Sequence, residues 1–258
     1  RNLINLWENG KIKGSILAFP RRLALLENEL TVVGIGSVAA HPRERGRGIM
    51  TRLMEYNDEE MKANGVHMSN LGGMRSRYNH FGYENSGNAY VVNVSRGVAQ
   101  RAHEPTGYTF RRFSLAESPV AEMKAIYDAK PFRYVYDESQ FALRLTNLRA
   151  WAYTVHAPDG SLFGYIAVNE GRLVREIVVK DDAELSNVVF DFLLSEQDRV
   201  ELPFGQWQLP YMRRLVDVGG GMALRENGMW NILRWEEVLR AFLAYKASFA
   251  ELEEGTLV

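Results

Sequence analysis

Three arginines and two glycines fall within six residues, Arg43-Glu44-Arg45-Gly46-Arg47-Gly48, in a chain whose charges otherwise cancel, 31 basic against 32 acidic. A Val- and Ile-rich run from Leu30 to Ala40 precedes this segment, and Pro42 stops it. An amphipathic stretch from about Gly48 to Asn64 follows, with Ile49, Leu53, Tyr56 and Met61 as its apolar stripe. Strand, Gly-rich turn and helix suit an anion. Unpaired N–H groups at a helix N-terminus converge on one spot, and the helix dipole favours negative charge there. Gly46 and Gly48 have no side chains to keep a diphosphate from the backbone, and Arg43, Arg45 and Arg47 bring positive charge. A bare Arg/Gly turn reads as a solvated loop; the flanking strand and helix favour the anion site.

Other phosphate cradles fit worse. A P-loop needs a hydroxyl residue after its Gly-Lys pair, and Gly10-Lys11 is followed by Ile12. Gly34-Ile35-Gly36 lies inside the strand and lacks the third glycine of a dinucleotide fingerprint. The five histidines show no metal-like spacing, and neither H-E-x-x-H nor G-x-S-x-G occurs. With no cysteine there is no disulfide, thiol nucleophile or thiolate-bound metal. That composition is compatible with a reducing cytoplasm, the expected location. The balanced charge points to neither nucleic acid nor an anionic membrane. No apolar run approaches the roughly 18 residues of a membrane span.

These residues need elements to position them. Leu3 to Trp7 and Lys13 to Phe19 read as strands joined by the hairpin signal Asn9-Gly10. Leu30 to Ala40 is the third strand, Val66 to Leu71 the next, then a short helix holding Tyr78 and a strand from Ala89 to Val94. The polar stretch 100–109 marks a boundary. Beyond it, 119–128, 139–147, 184–194 and 235–251 read as helices, and 152–156, 162–168 and 173–180 as a strand meander with turns at 158–160 and 169–171. Residues 9–16 and 159–166 share one order of turn, apolar residue, Gly and Ile, which suggests two copies of one α/β unit. Arg1 opens directly into a strand and Gly255 to Val258 looks like the start of another, so a fragment cut at both ends is expected.

Arg43-x-x-Gly46-x-Gly48 resembles the [Q/R]-x-x-G-x-[G/A] signature of the GNAT N-acetyltransferase superfamily. The likeness covers roughly residues 1–95. It implies a mixed, mostly antiparallel central sheet flanked by helices, the acyl-CoA N-acyltransferase fold of the α/β (α+β) class, here as two tandem GNAT-like domains. It implies acetyl-CoA as cosubstrate and no metal. Arg43, Arg45, Gly46, Arg47, Gly48 and Ile49 would hold the coenzyme pyrophosphate, and Val38, Ala39 and Ala40 would pair their backbone with the pantetheine arm. Arg77 to Glu84 resembles the Y-x-x-F-G-[Y/F]-E stretch near the end of many GNAT domains. By that resemblance Tyr78 is the general acid that protonates the departing thiolate. Phe81 and Tyr83 are read as packing residues, and His41 and Glu84 as structural.

In the second half, Ile177-Val178-Val179 runs into Lys180-Asp181-Asp182-Ala183-Glu184. Three acidic residues and no glycine stand where the Arg/Gly loop would be, so this copy is expected not to bind coenzyme A but to shape the acceptor cleft. An active GNAT domain followed by a degenerate one resembles the Eis-like acetyltransferases, although Gly72 to Arg77 departs from the Eis pattern. The expected organisation is a first GNAT domain over 1–99, a degenerate one over 108–228 and the start of a sterol-carrier-like domain over 229–258. Eis-like members are often hexamers, which implies a homo-oligomer. The expected activity is direct acetyl transfer to a small-molecule or peptide amine. The alternative is a non-catalytic coenzyme A-sensing module.

Overall fold

A computed structural model describes residues 2–146, 150–169 and 173–253. The chain forms two compact units: residues 1–87, 131–135 and 226–258 make the first, and 88–130 and 136–225 the second.

The first unit begins with a meander of β1 (Asn2–Glu8), β2 (Lys11–Leu25) and β3 (Asn28–Ala40), paired antiparallel. The Asn9-Gly10 turn takes positive φ at both residues, as a tight hairpin requires. Strand β2 runs six residues past the expected stop at Phe19, through Pro20. Its pairing with β1 ends at Ala18, so Pro20, which has no N–H to give, falls where β2 is open on that side. Helix α1 (Ile49–Ala63) lays Ile49, Leu53, Met54 and Met61 on Ile16, Val33, Ile35 and Leu71. Tyr56 does not join this stripe and is 50% exposed. On a 3.6-residue wheel it lies about 20° outside Ile49, while Asn57 sits mid-stripe and is buried. Strand β4 (Met68–Leu71) then pairs parallel to β3, and α2 (Arg75–Tyr78) and β5 (Glu84–Asn85) follow.

The second unit takes over at β6 (Asn88–Ser95), α3 (Arg96–Ala102), β7 (Thr109–Arg112) and α4 (Val120–Asp128). Strand β8 (Phe132–Tyr134) returns to the first unit and pairs with Leu23–Leu25 of β2. The second unit continues with α5 (Glu138–Leu145), β9 (Ala150–His156), β10 (Leu162–Asn169), β11 (Val174–Val179), α6 (Leu185–Ser195), β12 (Arg199–Phe204), α7 (Leu209–Asp217) and β13 (Gly221–Glu226). The chain closes in the first unit with β14 (Met229–Ile232) and α8 (Trp235–Ala247). The expected turn at 169–171 and helix end at Asn147 lie partly outside the described residues, as do 254–258.

Each unit has the same strand order. In the first, β1-β2-β3, helix α1 and parallel β4 are followed in the sheet by β14 and then β5. In the second, β9-β10-β11, helix α6 and β12 are followed by β6 and then β13; a bridge from Leu173 to Glu201 joins the two parts in the parallel sense. The first sheet thus receives β14 and β8, and the second receives β6, from the opposite half of the chain. The compact units therefore divide the chain differently from the expected stretches 1–99, 108–228 and 229–258. Residues 88–99 belong to the second unit. Residues 229–253 belong to the first, where β14 pairs with β4 and β5. Local periodicity does not report such pairing, because each strand's partner is more than a hundred residues away.

Candidate active site

Strands β3 and β4 pair only from Val32↔Met68 to Ile35↔Leu71. Strand β3 continues to Ala40, held on its other side by Ser15 and Gly14 of β2. Ser37 takes a φ of 50°, and Ser37 and Val38 together oppose the single residue Ile16. This β-bulge turns the strand where the pairing with β4 has stopped. Residues 36–40 therefore present an edge that no strand among the described residues of the unit occupies, and edge N–H and C=O groups seek a partner. Val38 and Ala40 are partly buried on the core and Ala39 is exposed.

At the end of that edge the His41 N–H donates to Lys13 O at 2.8 Å, and Pro42–Glu44 forms one 3-10 turn. The His41 Nδ1 accepts the Arg43 N–H at 3.2 Å, so His41 is a cap. Gly46 and Gly48 sit at φ 79° and 69°, and a Cβ on either would meet nothing within 4 Å. Glycine is thus demanded here by backbone conformation, and the space over it is open. Gly48 caps α1 without a side-chain hydrogen bond. The first helix-closing bond is Arg52 N–H to Gly48 O at 3.0 Å, which leaves the N–H groups of Ile49, Met50 and Thr51 without intrahelical acceptors. The Ile49 side chain is in the core, so it offers the site only its N–H.

The three arginines are not equivalent. Arg47 is bound to Glu44, and reaches Glu8 at 3.2 Å. Lys13 also binds Glu44, and Arg52 pairs with Glu8 at 3.1 Å. Hydrogen bonds from Lys13 and then Arg47 hold the Glu44 carboxyl below the usual carboxylate range. Arg43 and Arg45 are exposed and make no ion pair among the described residues. Five cations against Glu8 and Glu44 still leave the cluster net positive. Sequence spacing could not have found Glu8 and Lys13, because β1 and β2 bring them to the loop from more than thirty residues away.

Strand β4 forms the other arm of the split and leads through Gly72, Gly73 and Met74 into α2, whose last residue is Tyr78. The Tyr78 ring packs on the α1 core, and its hydroxyl has no hydrogen-bond partner among the described residues. Gly73 has φ 147°, and a Cβ there would come within 2.9 Å of the Tyr78 ring. Arg75 grips Glu84 through two hydrogen bonds of 2.6 and 2.7 Å, tying α2 to β5. Tyr83 is buried, with its hydroxyl 2.7 Å from Ser69 Oγ, and burial pushes its phenol up to about 12. Tyr83 and Glu84 are therefore structural, as expected. Gly73 is the contributor that the sequence reading missed.

The corresponding turn of the second unit is built differently. Asp181 accepts the Ala183 N–H at 2.9 Å, and Lys130 pairs with Asp182 at 3.1 Å. The Asp181 carboxylate of the chain itself thus already takes one N–H of this turn.

Residues 1–86 match the model of the family described as Acetyltransferase (GNAT) domain. No curated protein matches the chain by sequence. Among solved structures, similarity extends to a probable N-acyltransferase of Enterococcus faecalis, described as a conserved protein of unknown function (TM-score 0.71, 15% identity, 91% of this chain and 63% of that one). It extends to a GCN5-related N-acetyltransferase of Kribbella flavida (0.69, 19%, 92% and 62%) and to Eis1 of Mycobacterium abscessus (0.68, 17%, 92% and 65%). At these identities the likeness is one of fold. The chain spans a little under two thirds of the length of each of these structures.

Proposed function

We propose that this chain, with a GNAT acetyltransferase domain over residues 1–86 and the fold of GNAT N-acetyltransferases over most of its length, transfers acetyl from acetyl-CoA to a primary amine. The observation that carries this reading is the split between β3 and β4. One arm leads to an open, cationic, glycine-lined helix N-terminus and the other to Tyr78. The diphosphate would take the N–H groups of residues 45, 46 and 48–51 with Arg43 and Arg45, and the pantetheine amides would pair with the free edge of Val38 to Ala40. Arg47 would act mainly by holding the loop through Glu44 and Glu8.

Transfer then needs little more than placement. The neutral amine attacks the thioester carbonyl, the C–S bond breaks, and the Tyr78 hydroxyl gives its proton to the leaving thiolate. The ammonium formed at nitrogen loses its proton to water, and the Tyr78 phenolate takes one back from solvent. With no cysteine in the chain, transfer is direct in a ternary complex rather than through a cysteine acyl-enzyme. The second unit would not bind coenzyme A, since three acidic residues and no glycine stand at the matching turn and Asp181 already takes one of its N–H groups.

A coenzyme A-sensing module needs the loop but not a hydroxyl on the other arm of the split, so Tyr78 favours catalysis. The test is thiol release from acetyl-CoA with a panel of amines. Turnover that falls at least about tenfold in Tyr78→Phe, with acetyl-CoA binding preserved, supports the reading. Amine-independent binding with no thiol release supports the sensor.

A further inference from the structure

The sheet of the first unit has two faces at the split. On the α1 face, Val33, Ile35, Leu71, Ile49 and Leu53 fill the space. The alternate β3 residues on the opposite face are Gly34 and Gly36, which project nothing. Neighbouring side chains lie across them instead. A Cβ on Gly36 would meet the Phe19 ring at 3.1 Å, and one on Gly34 would meet the Arg21 guanidinium at 2.2 Å. Arg21 therefore reaches from β2 across β3. Its Nη2 donates to Asn70 Oδ1 of β4 at 3.0 Å, and its guanidinium carbon lies 4.8 Å from the centre of the Tyr134 ring.

Two features set this arginine apart. It makes no ion pair among the described residues, and its Nε is buried without an acceptor. A partly buried guanidinium held by a neutral amide and an aromatic face keeps its full charge and unspent donors, an arrangement that costs stability unless something else takes them. Asn70 pairs with Gly34 one residue before the last β3–β4 pair, so the guanidinium is held about 3 Å along the strands from the point where they part.

We propose that Arg21 is a specificity-determining residue: the amine that this chain acetylates carries an oxyanion, a carboxylate or a phosphate, within a few bonds of the reacting nitrogen. This inference rests on the acetyl-transfer reading. Because the α1 face is filled, an acceptor that reaches a thioester lying in the split approaches over Gly34 and Gly36, past Arg21. A planar guanidinium fixed by Asn70 and Tyr134 offers a carboxylate or phosphate charge-assisted hydrogen bonds at no further ordering cost. The same group repels a polycation, so aminoglycosides and polyamines are disfavoured by charge.

The experiment compares thiol release with α-amino acids, their carboxamides, phosphoethanolamine, ethanolamine, spermidine and an aminoglycoside, using the parent, Arg21→Gln and Arg21→Lys. A chain without cysteine gives no background in a thiol assay. The parent is expected to favour an acid over its carboxamide, or the phosphate over its alcohol, by at least about tenfold in kcat/KM. Arg21→Gln should abolish that ratio chiefly through KM for the acceptor, leave KM for acetyl-CoA unchanged, and still turn over the neutral amines. Arg21→Lys should recover part of the ratio. The acid and phosphate arms identify which oxyanion is read. Equal use of acids and carboxamides, preference for polycations, or an unchanged ratio in Arg21→Gln would overturn the inference while leaving acetyl transfer intact. No thiol release with any amine would overturn both.

Discussion

Gly73 and Tyr78 are in such close contact that a methyl group on Gly73 would lie 2.9 Å from the Tyr78 ring. The glycine also sits at φ 147°, a conformation that side chains resist. Gly73→Ala should therefore move the phenol rather than the coenzyme loop. Acetyl transfer should fall by about tenfold or more, with acetyl-CoA affinity nearly unchanged. Steady-state kinetics on the double variant check the mechanism. If the glycine acts through the tyrosine, Gly73→Ala adds little to Tyr78→Phe.

The ion pairs divide the loop arginines by role. Arg43 and Arg45 have charge to give a diphosphate, whereas Arg47 shares its charge with Glu44 and Glu8. Arg43→Gln and Arg45→Gln should each weaken acetyl-CoA binding by about three- to tenfold, and Arg47→Gln by less. Affinity of the parent should fall as salt rises, because the cluster is exposed, and the Arg43→Gln/Arg45→Gln double variant should flatten that dependence. Titration at several ionic strengths reads both effects.

Tyr83 gives the fold an alkaline signature. Its phenol is raised from the ordinary value of about 10 to about 12, so folding favours the protonated form. That contribution is complete below about pH 10 and is lost as pH rises toward about 12, amounting to roughly 2 kcal/mol across the window. Tyr83→Phe should cost about 1 kcal/mol at pH 7 through the lost bond to Ser69, and the parent's advantage should shrink and reverse above pH 10. Urea unfolding of both proteins from pH 7 to 11 measures this difference, in which the titrations of the other tyrosines cancel.

What the sequence made legible is local. Arg43 to Gly48, the strand before it and the helix after it lie where residue type and spacing put them, because positive φ at a turn, a proline stop and a 3.6-residue stripe are written in neighbouring residues. The position of Tyr78 on the second arm followed from a short motif. The remainder depends on partners far away in the chain. Strand β14 enters the first sheet 158 positions after Leu71, at Met229, and β6 enters the second beside β12. Neither β14 nor β6 carries a mark of which sheet it will join. Lys13 and Glu8 reach the loop only because β1 and β2 fold back beside it. Arg21 stood next to Pro20 in what read as the end of a strand, and only the continuation of β2 past that proline brings it over Gly34.

The central claim is that the Arg43–Gly48 loop holds acetyl-CoA, and calorimetric titration of the parent, Gly48→Ala and Gly48→Glu tests it most directly. Both substitutions strain a backbone at φ 69°, but only the glutamate puts negative charge into the space over the glycine. The account predicts binding by the parent, weaker binding by Gly48→Ala and none by Gly48→Glu. Undiminished binding by Gly48→Glu, or none by a folded parent, would contradict it.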